Sequence, residues 1–346
     1  MNEPANESAP RPARLRISDL VSRDANLLRL MIITVIVFVT MTLLNPDRFL
    51  SALNIESMAF QFPELGILTL GVMLAMVTGG IDLSVVAIAN LAGICVALVF
   101  TKVMPADAAG TTLVFYLLVA LAAALLAGAL TGALNSVLIA DVGIPPILAT
   151  LGTMQLFQGI AIVVTKGYAI TTYPDAFLWI GNGVVGVVPV PFLVFAACAL
   201  ATAVLLGRTA TGVRLFLMGT NLKAAAFAGI GVRKALFRSY VLTGLLSAVA
   251  GVVMIARTNS AKADYGDSYV LQAILVAVLG GVNPAGGFGT VLGITIAVLS
   301  LQFLSSGFNM LRFSNFAKEF TWGVFLLAIM TLNYVQNRRR LKHRKA

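Results

Sequence analysis

Long apolar runs follow one another along the chain, separated by short polar breaks. "LLRLMIITVIVFVTMTLL", Leu27 to Leu44, lacks the apolar/polar alternation of a barrel strand and is long enough for a helix that crosses a bilayer. Backbone polar groups find no water in hydrocarbon, so only helices and closed barrels cross it. The pattern predicts an all-α, polytopic integral membrane protein with about 10 transmembrane helices, some short or broken. They are expected near 28–44, 56–78, 83–103, 111–139, 147–165, 190–207, 239–257, 269–282, 290–308 and 321–336. Composition agrees. The chain is 59% hydrophobic and only 11% charged, too apolar for a water-soluble surface.

Charge gives this layout an orientation. With ten spans both termini lie on one side. Segment 1–29 carries five Arg, the loop 208–238 carries six Lys or Arg, and the tail 337–346 carries six more, so 17 of 24 basic residues share that side. The positive-inside rule makes it cytoplasmic. The chain divides into a basic N-terminal segment 1–27, a transmembrane domain 28–336 and a basic tail 337–346. "NPDRF" follows the first apolar run where a signal peptide would have a small-residue cleavage site, so the first span is expected to be retained. The net charge of +10 is a topology signal, and a nucleic-acid partner is not expected.

Catalytic groups are scarce. Cys95 and Cys198 sit in apolar surroundings without metal spacing, and the single histidine, His343, lies in the tail. Neither a His-based triad nor a His/Cys metal site can be built from this inventory. "GNGVVG", Gly181 to Gly186, matches G-x-G-x-x-G, but "VVPVP" follows and cannot open the required helix; G-x-x-x-x-G-K-[ST] does not occur. The chain is expected to bind no cofactor, hold no metal and catalyse no reaction.

Two glycine-rich turns stand out. In "VTGGIDLSVVAIANLAG", Gly79 and Gly80 suit a turn with positive φ, and Asp82 and Ser84 are placed to accept orphan N–H groups where the next helix begins. A capped turn, a contact to substrate and a proton relay are alternative roles for Asp82. "LGGVNPAGGFGTVLG", with Gly286 and Gly287, is the second turn. Ala124, Gly128 and Gly132 form a small-residue face suited to close helix packing or to a subunit interface. Pro63 and Glu64 suit the start and first turn of a helix, with Glu64 as a cap. Asn90, Asn135, Thr153, Gln155 and Gln158 lie inside spans, where amides are costly unless paired or wet.

The loop 208–238 has no acidic residue. Gly219 and Asn221 suit a turn and an N-cap, "NLKAAAFAGI" is a short helix, and Gly229 ends it. Such a helix fits a groove on another protein, or anchors at the membrane surface. "MGTNLKAAAFAGI" resembles the coupling loop of permease subunits of ATP-binding cassette (ABC) importers, in the ribose-type branch of sugar permeases. "GGIDLSV" and "LGGVNPAGGFGTVLG" are similar to that branch's other two recurring segments, in the same order, over roughly residues 30–335.

The resemblance implies a permease of the bacterial inner membrane with both termini cytoplasmic, paired with a second permease copy, identical or paralogous. A cytoplasmic ABC ATPase, holding ATP and Mg, would dock on Gly219, Asn221, Lys223, Ala224, Ala225 and Gly229. A periplasmic binding protein would deliver a monosaccharide or similar small polyhydroxylated solute. Asn90, Asn135, Thr153, Gln155 and Gln158 are then the candidates for the solute path. Val86, Ala228, Ile294 and "RFSNFAKEF" depart from the family pattern, so ribose, another pentose or hexose, a sugar alcohol and a furanosyl signal stay open. The alternative is an ion-coupled secondary transporter, which leaves the coupling-like loop unexplained.

Overall fold

The computed structural model describes residues 25–343, with side chains described over 27–331. The segment before Ala25 and the side chains of the basic tail 337–346 lie outside the described residues.

Most of the apolar runs fold as expected. Helix α1 spans Ala25–Leu44 and is followed by a single turn, α2, at Pro46–Phe49. Helix α3 runs over Ala52–Val77; the Ser51 hydroxyl caps it by accepting from the Asn54 N–H at 3.3 Å. Helix α4, Val85–Leu98, continues into one wider π turn at Val99–Val103. Helix α5 covers Gly110–Ala140 and α6 covers Pro146–Thr165, the latter opening on a proline whose missing N–H costs nothing there. A short α7, Asp175–Asn182, precedes α8, Val190–Arg208.

The second half holds α9, Ala210–Thr220; α10, Leu222–Phe227; α11, Val232–Thr258; α12, Tyr269–Leu279; α13, Val291–Met310; and α14, Asn315–His343. Two small antiparallel ladders pair Ile170–Thr171 with Ser260–Ala261, and Val184–Val185 with Val188–Pro189.

Eight of the ten expected spans fold as single long helices. Among the described residues, eight helices are long and apolar enough to cross a membrane. The segment expected at 269–282 is the 11-residue α12, too short to span alone at about 1.5 Å per residue. The segment expected at 321–336 lies in α14, whose side chains are described only as far as residue 331. The connection 208–238 is helical over most of its length: α9, α10 and the first turns of α11 occupy nearly all of it. Its charges lie on helix faces with one buried residue per turn, such as Leu215 and Met218, so the polarity that marks a loop here marks an amphipathic surface.

Helix α11 is the central element, packed against α3, α4 and α5. Glycine makes this possible. A Cβ on Gly128 would lie 2.4 Å from the Gly244 carbonyl oxygen, and one on Gly132 would lie 2.3 Å from the Tyr240 carbonyl oxygen. The small-residue face of α5 is therefore used inside the subunit, against α11. Ser239 and Thr243 then donate from α11 to the carbonyls of Leu74 and Gly71 on α3, at 2.7 and 3.0 Å. Without a hydrophobic drive between helices in lipid, such close packing and hydrogen bonding hold them together. The outward faces of α1, α5 and α6 expose Ile36, Leu118, Leu126, Val163 and similar side chains, as lipid-facing surfaces do.

Candidate functional site

The three sequence segments that resemble the importer permeases meet at one place. The turn after α3 has φ of 86° at Gly79, and the turn before α13 has φ of 92° and 79° at Gly286 and Gly287. The Gly287 N–H donates to the Val77 carbonyl at 3.0 Å and ties the two turns together. Gly219, in the last turn of α9, lies on this bond: a Cβ there would be 1.9 Å from the Val77 oxygen and 2.5 Å from the Gly287 nitrogen. From the other side, a Cβ on Gly286 would lie 2.7 Å from the Gly219 oxygen and 2.8 Å from the Gly79 nitrogen. Backbone touches backbone in all three. Gly219, expected in a turn, is helical, and contact rather than conformation excludes a side chain there.

Helix α10 leaves this junction and projects outward. The Asn221 side chain caps it, accepting from the Ala224 N–H at 3.0 Å, and Gly229 ends it with φ of 79°. Of the stripe Leu222, Ala225, Ala226 and Gly229, only Ala225 is buried. Leu222 is 51% exposed and Phe227 is 93% exposed, beside exposed Lys223, Ala224, Arg233 and Lys234. Arg233 forms an ion pair with Asp141, which follows α5. The result is an apolar tip with a basic surround, anchored by a capped turn to the glycine junction.

Asp82 lies just inside the same junction and is fully buried. The Ser84 N–H and hydroxyl donate to its Oδ1 at 2.8 and 2.6 Å. Asn135 Nδ2 donates to Ser84 Oγ at 2.8 Å and reaches Asp82 Oδ2 at 3.5 Å; Thr153 Oγ1 donates to Asn135 Oδ1 at 2.6 Å. Thr150 extends the network to the turn itself, accepting from the Leu83 N–H at 3.1 Å. Asp82 therefore stabilises the turn from two residues before Ser84, while Ser84, at the N-cap position, uses its hydroxyl on Asp82 and not on the helix. The network joins the turn to α5 and α6.

The remaining polar residues inside spans separate into two groups. Asn90 Nδ2 donates to the carbonyls of Ala263 and Tyr265, at 3.0 and 2.9 Å, and holds the segment between α11 and α12 against α4. Gln155 is exposed and Gln158 half-buried on α6, and among the described residues neither amide makes a hydrogen bond. Cys95 and Cys198 are free and half-buried.

Glu64 is not a helix cap. Ser51 starts α3 earlier, so Pro63 and Glu64 lie inside it. The helix accommodates the proline at the loss of one backbone bond. Glu64, 1% exposed, accepts from Arg257 Nε at 2.5 Å and Nη2 at 3.0 Å in a bidentate pair between α3 and α11. The signal in the sequence was an acid, Glu64, and a base, Arg257, each flanked by long apolar stretches of its helix and needing a partner. Among the described residues no group of three or more His, Cys, Asp or Glu is placed to hold a metal ion.

Comparison with known proteins shows the family. The family described as "Branched-chain amino acid transport system / permease component" matches residues 54–332. The chain is 36% identical over 323 residues to the ribose import permease protein RbsC of Bacillus subtilis, covering 92% of this chain and 95% of that one. It is 33% identical over 283 residues to the autoinducer 2 import system permease protein LsrD of Yersinia enterocolitica, covering 80% and 82%. No solved structure matches the chain significantly. The chain belongs to this family of transport-system permeases, in the ribose-type branch of sugar ABC importer permeases, and is a multi-pass inner-membrane transport component, not an enzyme.

Proposed function

We propose that this permease couples to its energy source through α9 and α10. A cytoplasmic ABC ATPase, binding ATP and Mg, grips the tip formed by Leu222, Lys223, Ala224 and Phe227. The convergence of Gly219 with both glycine turns carries the reading. A force on α10 passes through Gly219 to backbone at Val77 and Gly287, so that α3 and α13 are displaced together. ATP binding shifts the equilibrium because the ATPase engages one arrangement better than the other. The proposal includes a second permease subunit, a periplasmic binding protein that delivers the solute, and both termini in the cytoplasm. Glu64, Asp82 and Arg257 have partners within the chain, and no ion-coupling role is assigned to them.

For the solute path, Gln155 and Gln158 are the candidates whose amides are wholly open, while Asn90, through its Nδ2, and Asn135 and Thr153 form the frame behind it. The solute is a monosaccharide or a similar polyhydroxylated molecule.

Reconstitution tests the reading. Vesicles holding the permease, its ATPase and its binding protein are expected to take up solute only with ATP inside. Uptake by vesicles that hold this polypeptide alone would refute it.

A further inference from the structure

At the end of the bundle remote from Gly219, two cavities of about 350 and 330 Å³ open between α3, α12, α13 and α14. Gln61 and Gln302 line both, which makes them parts of one cleft. Helix geometry sets its depth: at about 1.5 Å per residue, Gln61 stands roughly 24 Å along α3 from Val77, and Gln302 roughly 17 Å along α13 from Val291. The glycine junction lies beside those helix ends. The cleft therefore lies in the half of the membrane away from the coupling tip.

Its chemistry is specific. The inner part is lined by Gln61, Gln272, Gln302, Ser305, Tyr269 and Trp322. Gln61 Nε2 donates to Ser57 Oγ at 2.7 Å and Gln272 Nε2 to Ser268 Oγ at 3.5 Å, which leaves their amide oxygens as acceptors. Among the described residues the Gln302 amide and the Ser305 hydroxyl make no hydrogen bond at all, and both are half-buried. Trp322 is held by Phe308 and Phe325, with ring centroids 5.8 and 6.4 Å away. Charges stand nearby: Lys318 and Glu319 on the inner part, Arg48 and Arg312 on the outer. Open amide and hydroxyl groups beside fixed aromatic rings match a ligand with hydroxyls on its edges and C–H groups on its faces. The volumes fall within the roughly 300–1,000 Å³ of small-molecule sites.

We propose that this cleft is a binding subsite for a neutral polyhydroxylated solute, occupied on the outer side before translocation, with Gln302 as its central contact. It rests on the sugar-type reading of the permease and adds a place where the permease itself holds the solute.

The test uses the full-length permease alone, in nanodiscs, by saturation-transfer NMR. The probes are D-ribose, D-xylose, D-glucose, xylitol and ribose 5-phosphate. Saturation is expected to reach the C–H protons of at least one neutral probe. Gln302→Leu and Gln272→Leu are each expected to weaken that binding roughly tenfold, the effect of losing a hydrogen-bond pair. Unfolding midpoints near that of the parent show that the variants are folded. Binding of none of the neutral probes, binding of ribose 5-phosphate only, or binding unchanged in both folded variants would overturn the subsite. ATP-driven uptake by the complete importer is measured alongside. If uptake persists while the permease alone binds no probe, the subsite is wrong and the permease reading stands.

Discussion

The Gly287 N–H donates to the Val77 carbonyl at 3.0 Å, and Gly219 covers that bond so closely that a methyl group would lie 1.9 Å from the acceptor oxygen. Two turns from opposite parts of the chain thus share one hydrogen bond, with a third segment packed onto it. Gly219→Ala must push α9 off the junction. We expect a stability loss of about 1–3 kcal/mol and a larger loss of ATP-driven uptake. Thermal unfolding and vesicle uptake check both, and a fully active variant would show that the junction transmits nothing.

Phe227→Ser tests the other end of the same lever. Phe227 is 93% exposed, so its removal should change stability by no more than about 0.5 kcal/mol. Co-purification of the ATPase with the permease is expected to fall sharply. Unchanged co-purification would argue against α10 as the docking helix.

The Glu64–Arg257 pair gives a prediction about the frame. Arg257→Ala leaves a buried carboxylate without its partner and should destabilise by about 3–5 kcal/mol. The double substitution Glu64→Leu with Arg257→Met, which removes both charges and keeps the bulk, should recover most of that loss. A double-substitution cycle followed by thermal unfolding reads the difference.

Asn90→Ala removes two donations, to the Ala263 and Tyr265 carbonyls. The expected loss is about 1–3 kcal/mol. Hydrogen exchange should rise across residues 262–268 and stay unchanged in α5. Unaltered exchange there would mean that other contacts hold the segment.

Asn135→Ala separates frame from path. It deprives Thr153 of its side-chain acceptor, leaving the Thr150 carbonyl at 3.3 Å, and Ser84 of its donor, and should lower the unfolding midpoint by an amount corresponding to about 1–3 kcal/mol. As a frame residue it should leave the KM for uptake unchanged. A raised KM at unaltered stability would instead place Asn135 in the solute path.

Hydrophobic periodicity and charge determined much of this protein on their own. Long apolar runs without alternation, in a chain that is 59% hydrophobic, give membrane-crossing helices and not barrel strands, because a helix satisfies its backbone hydrogen bonds within one segment. Caps and stops such as Asn221 and Gly229 were legible because they act over three or four residues.

What acts across the fold was not legible. The eleven residues of α12, apolar but for Gln272, read like a span because hydropathy does not distinguish lipid from a protein interior. Pro63 and Glu64 read like a helix start because the Ser51 cap and the Arg257 partner compete with that signal from elsewhere. That Asn135 and Thr153 turn inward to Ser84 and Asp82, while Gln155 stays open, depends on which face of each helix meets α4. Only tertiary packing decides that, and it also brings Gly79, Gly219 and Gly287 to one point, since no local rule links three glycines so far apart in the chain.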